Sequence, residues 1–377
     1  MQDSLKNRVT VLKAVQICVD RKINFAAYRL PDKKDFTLVV QTDAALREVE
    51  KIEENIPAEG FLIAPFSRHS GNKTYLIRPD MVIRSNKILT LNEESVIQSI
   101  PVFHDTPSND HAPDTKKTDY LAQISEILRR IENGEFEKVV LSRIKSVSGN
   151  YIPTLSLIFD TLCSLYDNAF VYLFCIKGQY WIGATFEPFV CSRNNELCTV
   201  SLAGTRAFLD ANQDLNNWNK KERLEQEYVT RHIEKVLMDY SVTGYTRQGP
   251  YVARAGNISH LRTDFNFSIQ AAGDRLPYLI QALHPTPAVC GMDSGKAMDF
   301  ISNVEKHNRD YYTGYLGPVG LDDLMQLYVN IRCMKVYADR LVLFTGGGIT
   351  QDSIPEEEWE ETEIKSDTLL AVISQLS

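Results

Sequence analysis

"EKVVLSR", residues 137–143, sets a lysine at the mouth of an apolar, β-branched run that continues to about residue 148. A run of this kind reads as a buried strand. An ammonium group is costly to bury without a partner, and a buried lysine gives up its proton readily. Lys138 is therefore either a stem that snorkels to solvent or a base set into a pocket.

Outward from this strand, "YLAQISEILRRIENG" (120–134) has helical spacing and ends on a glycine, and strands are predicted at 169–176, 179–184, 188–192 and 197–201. A long helix is predicted from about 218 to 240, further strands at 265–271, 313–320 and 341–347, and a last helix over roughly 355–376. Upstream, the polar stretch "HDTPSNDHAPDTKKTD" (104–119) separates an N-terminal part, residues 1–103, from a denser core, residues 120–377. In the N-terminal part "FTLVVQT" (36–42), "GFLIAPF" (60–66), "TYLIRPDMVIRS" (74–85) and "ILTL" (88–91) read as strands, and "LREVEKIEENI" (46–56) as a helix. Runs of strands interrupted by long helices, with few regular βαβ alternations, favour an α+β fold over a doubly wound sheet.

The 377 residues suffice for one large domain or two of ordinary size, and 44% apolar with 24% charged residues is ordinary for a globular protein. The seven cysteines (Cys18, Cys163, Cys175, Cys191, Cys198, Cys290 and Cys333) are scattered and form no CxxC pair. That argues against a disulfide framework and a structural zinc site, and fits a reducing compartment. No apolar run reaches the ~18–20 residues of a transmembrane helix. "MQDSLKNRVTVLKAV" lacks the apolar core of a signal peptide, so a cytoplasmic protein is expected. A net charge of −8 disfavours nucleic acid or an anionic membrane as partner. An anionic substrate would then need local cations or a bound metal.

The helix "WNKKERLEQEYVTRHIEKVLMDY" carries its apolar stripe on Val229, Ile233, Val236 and Tyr240, at spacings of four, three and four. Extended backwards with that period, the stripe passes through Glu225 and Glu222, which places both on the inward side. The last helix repeats the arrangement: its stripe of Leu369, Val372, Ile373 and Leu376 runs back through Lys365, Glu361 and Glu358. An acidic first turn complements the helix dipole, which accounts for either helix taken alone. Two helices with in-facing glutamate pairs at i, i+3 are explained less easily. Four carboxylates directed at one cavity repel one another unless a cation sits among them. An oxygen-only set without His or Cys suits a hard ion, Mg²⁺ first.

Other polar residues stand in apolar settings. Glu187 in "QYWIGATFEPFV" (179–190) follows a strand beside Phe186 and Pro188, where a carboxyl is either a turn residue or a general acid of raised pKa. "SLAGTRAF" (201–208) offers the backbone N–H groups of Gly204 and Thr205 to an anion. "LHPTPAVCG" (283–291) fixes His284 among prolines, as a ligand donor or a structural histidine. "DYYTGYLGPVG" (310–320) supplies Tyr312 and a glycine-rich strand, and "NIRCMKV" (330–336) puts Arg332 in an apolar strand, where a partner such as a carboxylate is expected. The glycines of "FTGGGITQDS" (344–353) resemble an anion cradle at a helix N-terminus. There is no Walker A motif, no GxGxxG after a first strand, no GxSxG elbow and no HExxH.

In this order "KVVLSR", "GATFEPF", "SLAGTR", "KERLEQE", "LHPTPAVCG", "RDYYTGYLG", "IRCMKV", "GGGI" and "EEWEETEIK" resemble the chorismate-utilising enzymes, over about residues 138–365. That family includes isochorismate synthases, salicylate synthases and the large subunits of anthranilate and aminodeoxychorismate synthases. The resemblance implies a single large domain of two antiparallel sheets packed together with helices outside, its N-terminal part trimmed. Position by position, it implies that Lys138 is the water-activating base and Glu187 the general acid. Glu225 and Glu361 match the direct Mg²⁺ ligands, and Glu222 and Glu358 the carboxylates that hold metal-bound waters. Tyr312, Arg332, Gly348 and Lys365 match contacts to the substrate carboxylates, and His284 and Thr205 match groups near the ring substituents, with Gly204 beside Thr205 expected to contact substrate through its backbone. Two departures stand out: Gly347 replaces the alanine of the usual "GAGI", and Phe186 and Phe189 flank the acid where relatives often have proline and leucine.

Amine-transferring relatives have glutamine where Lys138 stands and a different segment in place of "LHPTPAVCG". The resemblance therefore implies a water-derived nucleophile and no glutaminase subunit, and a monomer is expected. Isochorismate and salicylate synthases remain, the first preferred, with menaquinone, siderophore or salicylate as the pathways served. In both, neutral Lys138 takes a proton from water as it attacks C2 of chorismate, and protonated Glu187 delivers one to the departing C4 hydroxyl. A catalytically silent chorismate-binding protein is a third reading. It would need neither the acid nor the base.

Overall fold

Phe170–Ile176 is apolar at every position, because this strand is covered on both faces. Phe170, Tyr172 and Phe174 point into an aromatic layer between two sheets, while Val171, Leu173 and Cys175 face helices outside. The structure, a computed structural model, describes residues 2–50, 52, 59–67, 71–87, 91–102, 113–193, 195–207, 214–255 and 258–375.

Two sheets, antiparallel throughout, form the body of the described chain. The first runs in the order Gly291–Met292 (β14), Lys138–Ser148 (β7), Arg340–Ile349 (β18), Cys333–Val336 (β17), Gln179–Thr185 (β9), Phe170–Ile176 (β8), Phe25–Arg29 (β1), Thr37–Val40 (β2) and Met81–Arg84 (β6). The second runs Thr246–Ala255 (β12), Ile258–Ser268 (β13), Glu196–Ala207 (β11), Pro188–Arg193 (β10), Gln326–Val329 (β16), Tyr315–Val319 (β15), Gly60–Ala64 (β4), Tyr75–Ile77 (β5) and Arg47–Glu48 (β3). The residues before 104 thus complete both sheets.

Rings from the two sheets interleave, as where Phe170 stacks on Tyr328 with centroids 4.2 Å apart. Helices α1 (Gln2–Asp20), α2 (Leu91–Ser99), α4 (Leu155–Leu165) and the end of α9 (Pro355–Ser374) cover the first sheet. α5 (Lys220–Asp239), α6 (Ile269–Ala272) and α7 (Leu276–Leu283) cover the second. α3 (Lys117–Glu132) and α8 (Ser294–Val304) close over the start of β7. This is the α+β arrangement of two packed antiparallel sheets with helices outside. The stripe of α5 is buried as its spacing requires, at Val229, Ile233 and Val236, and so are Leu369, Val372 and Ile373 of α9. Leu376 lies outside the described residues.

The chain changes sheet between β9 and β10, and returns between β16 and β17. Because β17 pairs with β9 and β16 with β10, the two crossings lie side by side. They are stitched together: Thr185 Oγ1 donates to the Val329 carbonyl at 2.7 Å, Val329 N–H to the Glu187 carbonyl at 3.0 Å, and Ala184 N–H to the Arg332 carbonyl at 3.1 Å. Glu187 and Arg332 are the residues that make these turns. Arg332, expected inside a strand, instead precedes β17 with φ +50°, a left-handed conformation held by its neighbours.

Five local expectations are corrected. The helix expected at 46–56 gives way to an edge strand, Arg47–Glu48, paired with Tyr75–Leu76; residues 51 and 53–58 lie outside the described residues. Pro79 splits 74–85 into β5 and β6, which belong to different sheets. Of "ILTL", Leu91 opens α2, and 88–90 lie outside the described residues. The strand read at 265–271 begins at Ile258 and stops at Ser268, whose hydroxyl accepts from Gln270 N–H and caps α6. Most of 104–119 lies outside the described residues. The candidate glycine cradle at 346–348 is not at a helix N-terminus: all three glycines lie inside β18, and α9 begins at Pro355.

Candidate active site

Those glycines have a different use. β18 pairs with β7 in the register Gly348↔Val140, and a Cβ on Gly348 would stand 2.7 Å from Lys138 Cε and 3.3 Å from its Nζ. A Cβ on Gly346 would stand 3.0 Å from the Tyr312 hydroxyl, and one on Gly347 3.1 Å from Glu358 Oε2. The bare stretch of strand lets the side chains of Lys138, Tyr312 and Glu358 approach it closely. Lys138 answers the question its sequence poses: it is 1% exposed and lines a cavity between the sheets, so it does not snorkel. Burial pushes its ammonium below the usual lysine range, with Glu225 opposing.

The cavity has about 880 Å³ of empty volume, its open mouth included. Lys138, Glu187, Gly204, Glu225 and Tyr312 line it, together with Arg332, Gly348, Glu361 and Lys365. Glu187 is 7% exposed; burial pushes its carboxyl up to about 7 against the pull of Lys138, Lys365 and Arg332. Arg332 lies 5.1 Å over the Phe186 ring, and burial lowers its guanidinium to about 10. The carboxylate expected to pair with it is not supplied by the described residues: its Nη1 is buried without a hydrogen-bond partner. That leaves a donor for an anion entering the cavity. Tyr312 stacks on Phe344 at 5.3 Å, and burial keeps its hydroxyl protonated.

Two expectations are changed here. His284 does not line the cavity; its Nε2 meets the Phe66 carbonyl at 3.1 Å, and its ring packs on Tyr315 and Phe189. Its motif reaches the cavity through Ala288 and Val289 instead. The imidazole on the cavity wall is His260 of β13, which the sequence reading missed. Its Nδ1 meets the Gly204 carbonyl at 2.7 Å, and a carbonyl only accepts, so Nδ1 carries the proton and Nε2 is the acceptor nitrogen. Burial, then Arg332, lowers its pKa to about 3, so the ring is neutral. Alternation along β13 signals it: Leu261, Thr263 and Phe265 are buried on one face, which turns His260 to the other. The side chain of Thr205 lies outside the described residues.

α5 and α9 set Glu225 and Glu361 on the cavity wall, with Glu358 close enough to act on Glu225, while Glu222 lies beside Gly204 and turns to Arg206. Chain cations hold three of them. Arg206 grips Glu222 through two hydrogen bonds, Lys221 of α5 crosses to Glu358 of α9, and Lys365 pairs with Glu361 at 2.7 Å. Glu225 is pushed up to about 7 by burial against the pull of Lys138, with Glu361 adding to the rise and Lys221 opposing it. Among the described residues no three His, Cys, Asp or Glu side chains close tightly enough to hold an ion. The donor set nevertheless fits a hard cation. It is all oxygen, and one buried oxygen, Glu358 Oε2, has no partner.

The sequence profile described as chorismate binding enzyme matches residues 44–374. The chain belongs to this family. The vibriobactin-specific isochorismate synthase of Vibrio cholerae is 29% identical over 259 residues, 67% of this chain and 66% of that protein. The salicylate biosynthesis isochorismate synthase of Pseudomonas aeruginosa is 30% identical over 262 residues, 68% of this chain and 54% of that one. The matched stretch is thus less than two thirds of either relative. In fold, the solved structure of MenF, the menaquinone-specific isochorismate synthase of Escherichia coli, has a TM-score of 0.74 over 93% of this chain and 88% of that one, at 21% identity.

Proposed function

We propose that this chorismate binding enzyme is an isochorismate synthase, a cytoplasmic monomer that adds water at C2 of chorismate and releases the C4 hydroxyl. The observation that carries the reading is one cavity lined by a lysine pushed down and a glutamate pushed up to about 7. Burial moves the two groups toward the protonation states that an acid–base pair needs near neutral pH. Lys138 is the base that deprotonates the attacking water, and Glu187 the acid that protonates the leaving hydroxyl. Positioned groups of this kind contribute ~10²–10⁴-fold each.

Arg332, through the donor left unpaired, and Lys365 receive the carboxylates of the dianion, with Tyr312 as a neutral donor. Gly204 brings its backbone to the ring and holds His260 in the tautomer that accepts through Nε2. Glu225 and Glu361 would hold Mg²⁺, with Glu222 and Glu358 behind them. Bound there, the ion supplies positive charge at a substrate carboxylate within an acidic wall. A chain acting on ammonia would have no use for a buried lysine base, which favours water as the nucleophile.

The test is product analysis by chromatography and mass spectrometry after incubation with chorismate, with and without Mg²⁺, for wild type and Lys138→Ala. An isomer of unchanged mass, formed only by the wild type with Mg²⁺, supports the proposal. Salicylate with stoichiometric pyruvate would make the chain a salicylate synthase. Turnover by Lys138→Ala at near the wild-type rate would remove the mechanism.

A further inference from the structure

Lys221 lies between the glutamates of "KERLEQE" and has no part in the chemistry above. It pairs with Glu358, and Glu225 Oε1 is 4.0 Å away. Glu358 is 1% exposed, and its Oε2 is the buried oxygen without a partner, beside Gly347. The carboxylate is half-satisfied: one oxygen has an ammonium, the other nothing. The other two cations of the cluster are anchored elsewhere as well. Arg206 also donates to the Asn217 carbonyl, and Lys365 to the Gly346 carbonyl at 2.8 Å. Lys221 has no second anchor of this kind among the described residues, and its side chain keeps 22% exposure, a route to solvent.

We infer that Lys221 is an internal counterion: it stands in for the metal, holding Glu358 and Glu225 together while the site is empty, and leaves for solvent when Mg²⁺ binds. The inference rests on the metal reading proposed above. An ammonium held on Glu358 and 4.0 Å from Glu225 Oε1 repels a divalent ion on Glu225 strongly, so the two occupy the site in turn. Gly347 assists, since an alanine methyl there would press on the oxygen left open. The metal-free protein is thereby protected from repulsion between Glu358 and Glu225, at a cost in ion affinity.

The experiment is a thermodynamic cycle on Lys221→Met, with Mn²⁺ binding followed by electron paramagnetic resonance, Mg²⁺ as competitor, and thermal unfolding with and without ion. Giving up one charge-assisted hydrogen bond costs the wild type a factor of about ten, so the variant binds Mn²⁺ about tenfold tighter. The same factor appears as lost stability of the metal-free variant, while the ion-saturated variant and wild type unfold together. Lys221→Arg, which restores the charge, brings back the weaker binding. Lys220→Met, on the side of α5 that lines a different cavity, leaves it unchanged.

Unchanged or weaker binding by Lys221→Met overturns the inference. So does equal stability without ion combined with extra stability in its presence, because that pattern is through-space repulsion and not displacement. A wild type that binds no Mn²⁺ removes the metal reading and this inference with it. A wild type that binds, with Lys221→Met no tighter, removes the inference alone.

Discussion

Gly348→Ala tests the geometry of the base without touching the base. The new methyl would stand 2.7 Å from Lys138 Cε, 3.3 Å from Nζ and 3.6 Å from Glu225 Oε2. Carbon atoms pack at ~3.5–4.0 Å, so the lysine must retreat by roughly 1 Å. It cannot swing outward, being 1% exposed and flanked by β14 and β18. A shift of that size in a reacting group costs about 10²-fold in rate. Overpacking adds roughly 1–3 kcal/mol of lost stability, which a domain of this size survives. Gly348 is not among the glycines with positive φ, so its backbone accepts alanine and the effect is steric.

The control is Gly347→Ala, whose methyl meets only Glu358 Oε2, at 3.1 Å, and which restores the residue usual in relatives. It should stay within about threefold of wild type, the range of a mild substitution. The assay is initial-rate formation of isochorismate, with circular dichroism and thermal unfolding to verify the fold. Gly348→Ala should lose kcat with little change in KM. A folded Gly348→Ala enzyme of near wild-type kcat would refute the placement of Lys138 on bare backbone. Equal losses in both variants would mean that the strand as a whole, not the contact with Lys138, had been disturbed.

Glu187→Gln should silence turnover and stabilise the protein. The folded-state pKa of Glu187, about 7, is raised from 4.5, so the unfolded chain releases a proton that the folded one keeps, and stability falls as pH rises from 4.5 through 7. Glutamine removes that loss, and the gain, up to about 3 kcal/mol, is present above pH 7 and absent below 4.5. Urea unfolding at pH 8 and pH 5.5 checks it; an equal difference at both values would contradict the burial of this carboxyl. For the wild type, kcat/KM should fall above about pH 7 as the acid loses its proton. The two histidines should separate cleanly. His260→Asn lowers kcat/KM for chorismate, while His284→Gln lowers the unfolding temperature and leaves KM in place, and the reverse pattern would return the role to His284.

What the sequence made legible follows from period and spacing. The stripes of α5 and α9 turn their glutamates inward on spacing alone, because a helix converts spacing into a face without reference to the rest of the fold. Lys138 was legible for a similar reason, since a charge at the mouth of a buried strand needs explaining. Arg332 and His284 were harder to place. Whether Arg332 sits in a strand or on the turn before it depends on where the chain changes sheet, and the strand-like residues on both sides are the same in either case. His284 has the rigid surroundings of a functional residue, but those surroundings also suit a histidine that ties Phe66 to a packed cluster.

His260 was missed through its strand's boundary. Starting the strand at 265 discarded the alternation "ISHLRTDF" that turns the imidazole away from the apolar face and toward the cavity. The shared cause is the pair of sheet crossings. Glu187 and Arg332 line one cavity because β9 pairs with β17 and β10 with β16, a relation between segments about 145 residues apart that neither segment encodes alone. The crossings also explain why an acid and a guanidinium can be buried here at tolerable cost. At a crossing the backbone leaves one ladder before joining the next, and the hydrogen bonds among Thr185, Val329, Glu187 and Ala184 satisfy the main chain. The side chains are then free to face the gap between the sheets. The fold creates its cavity where its own pairing is interrupted, and the chemistry is set into that interruption.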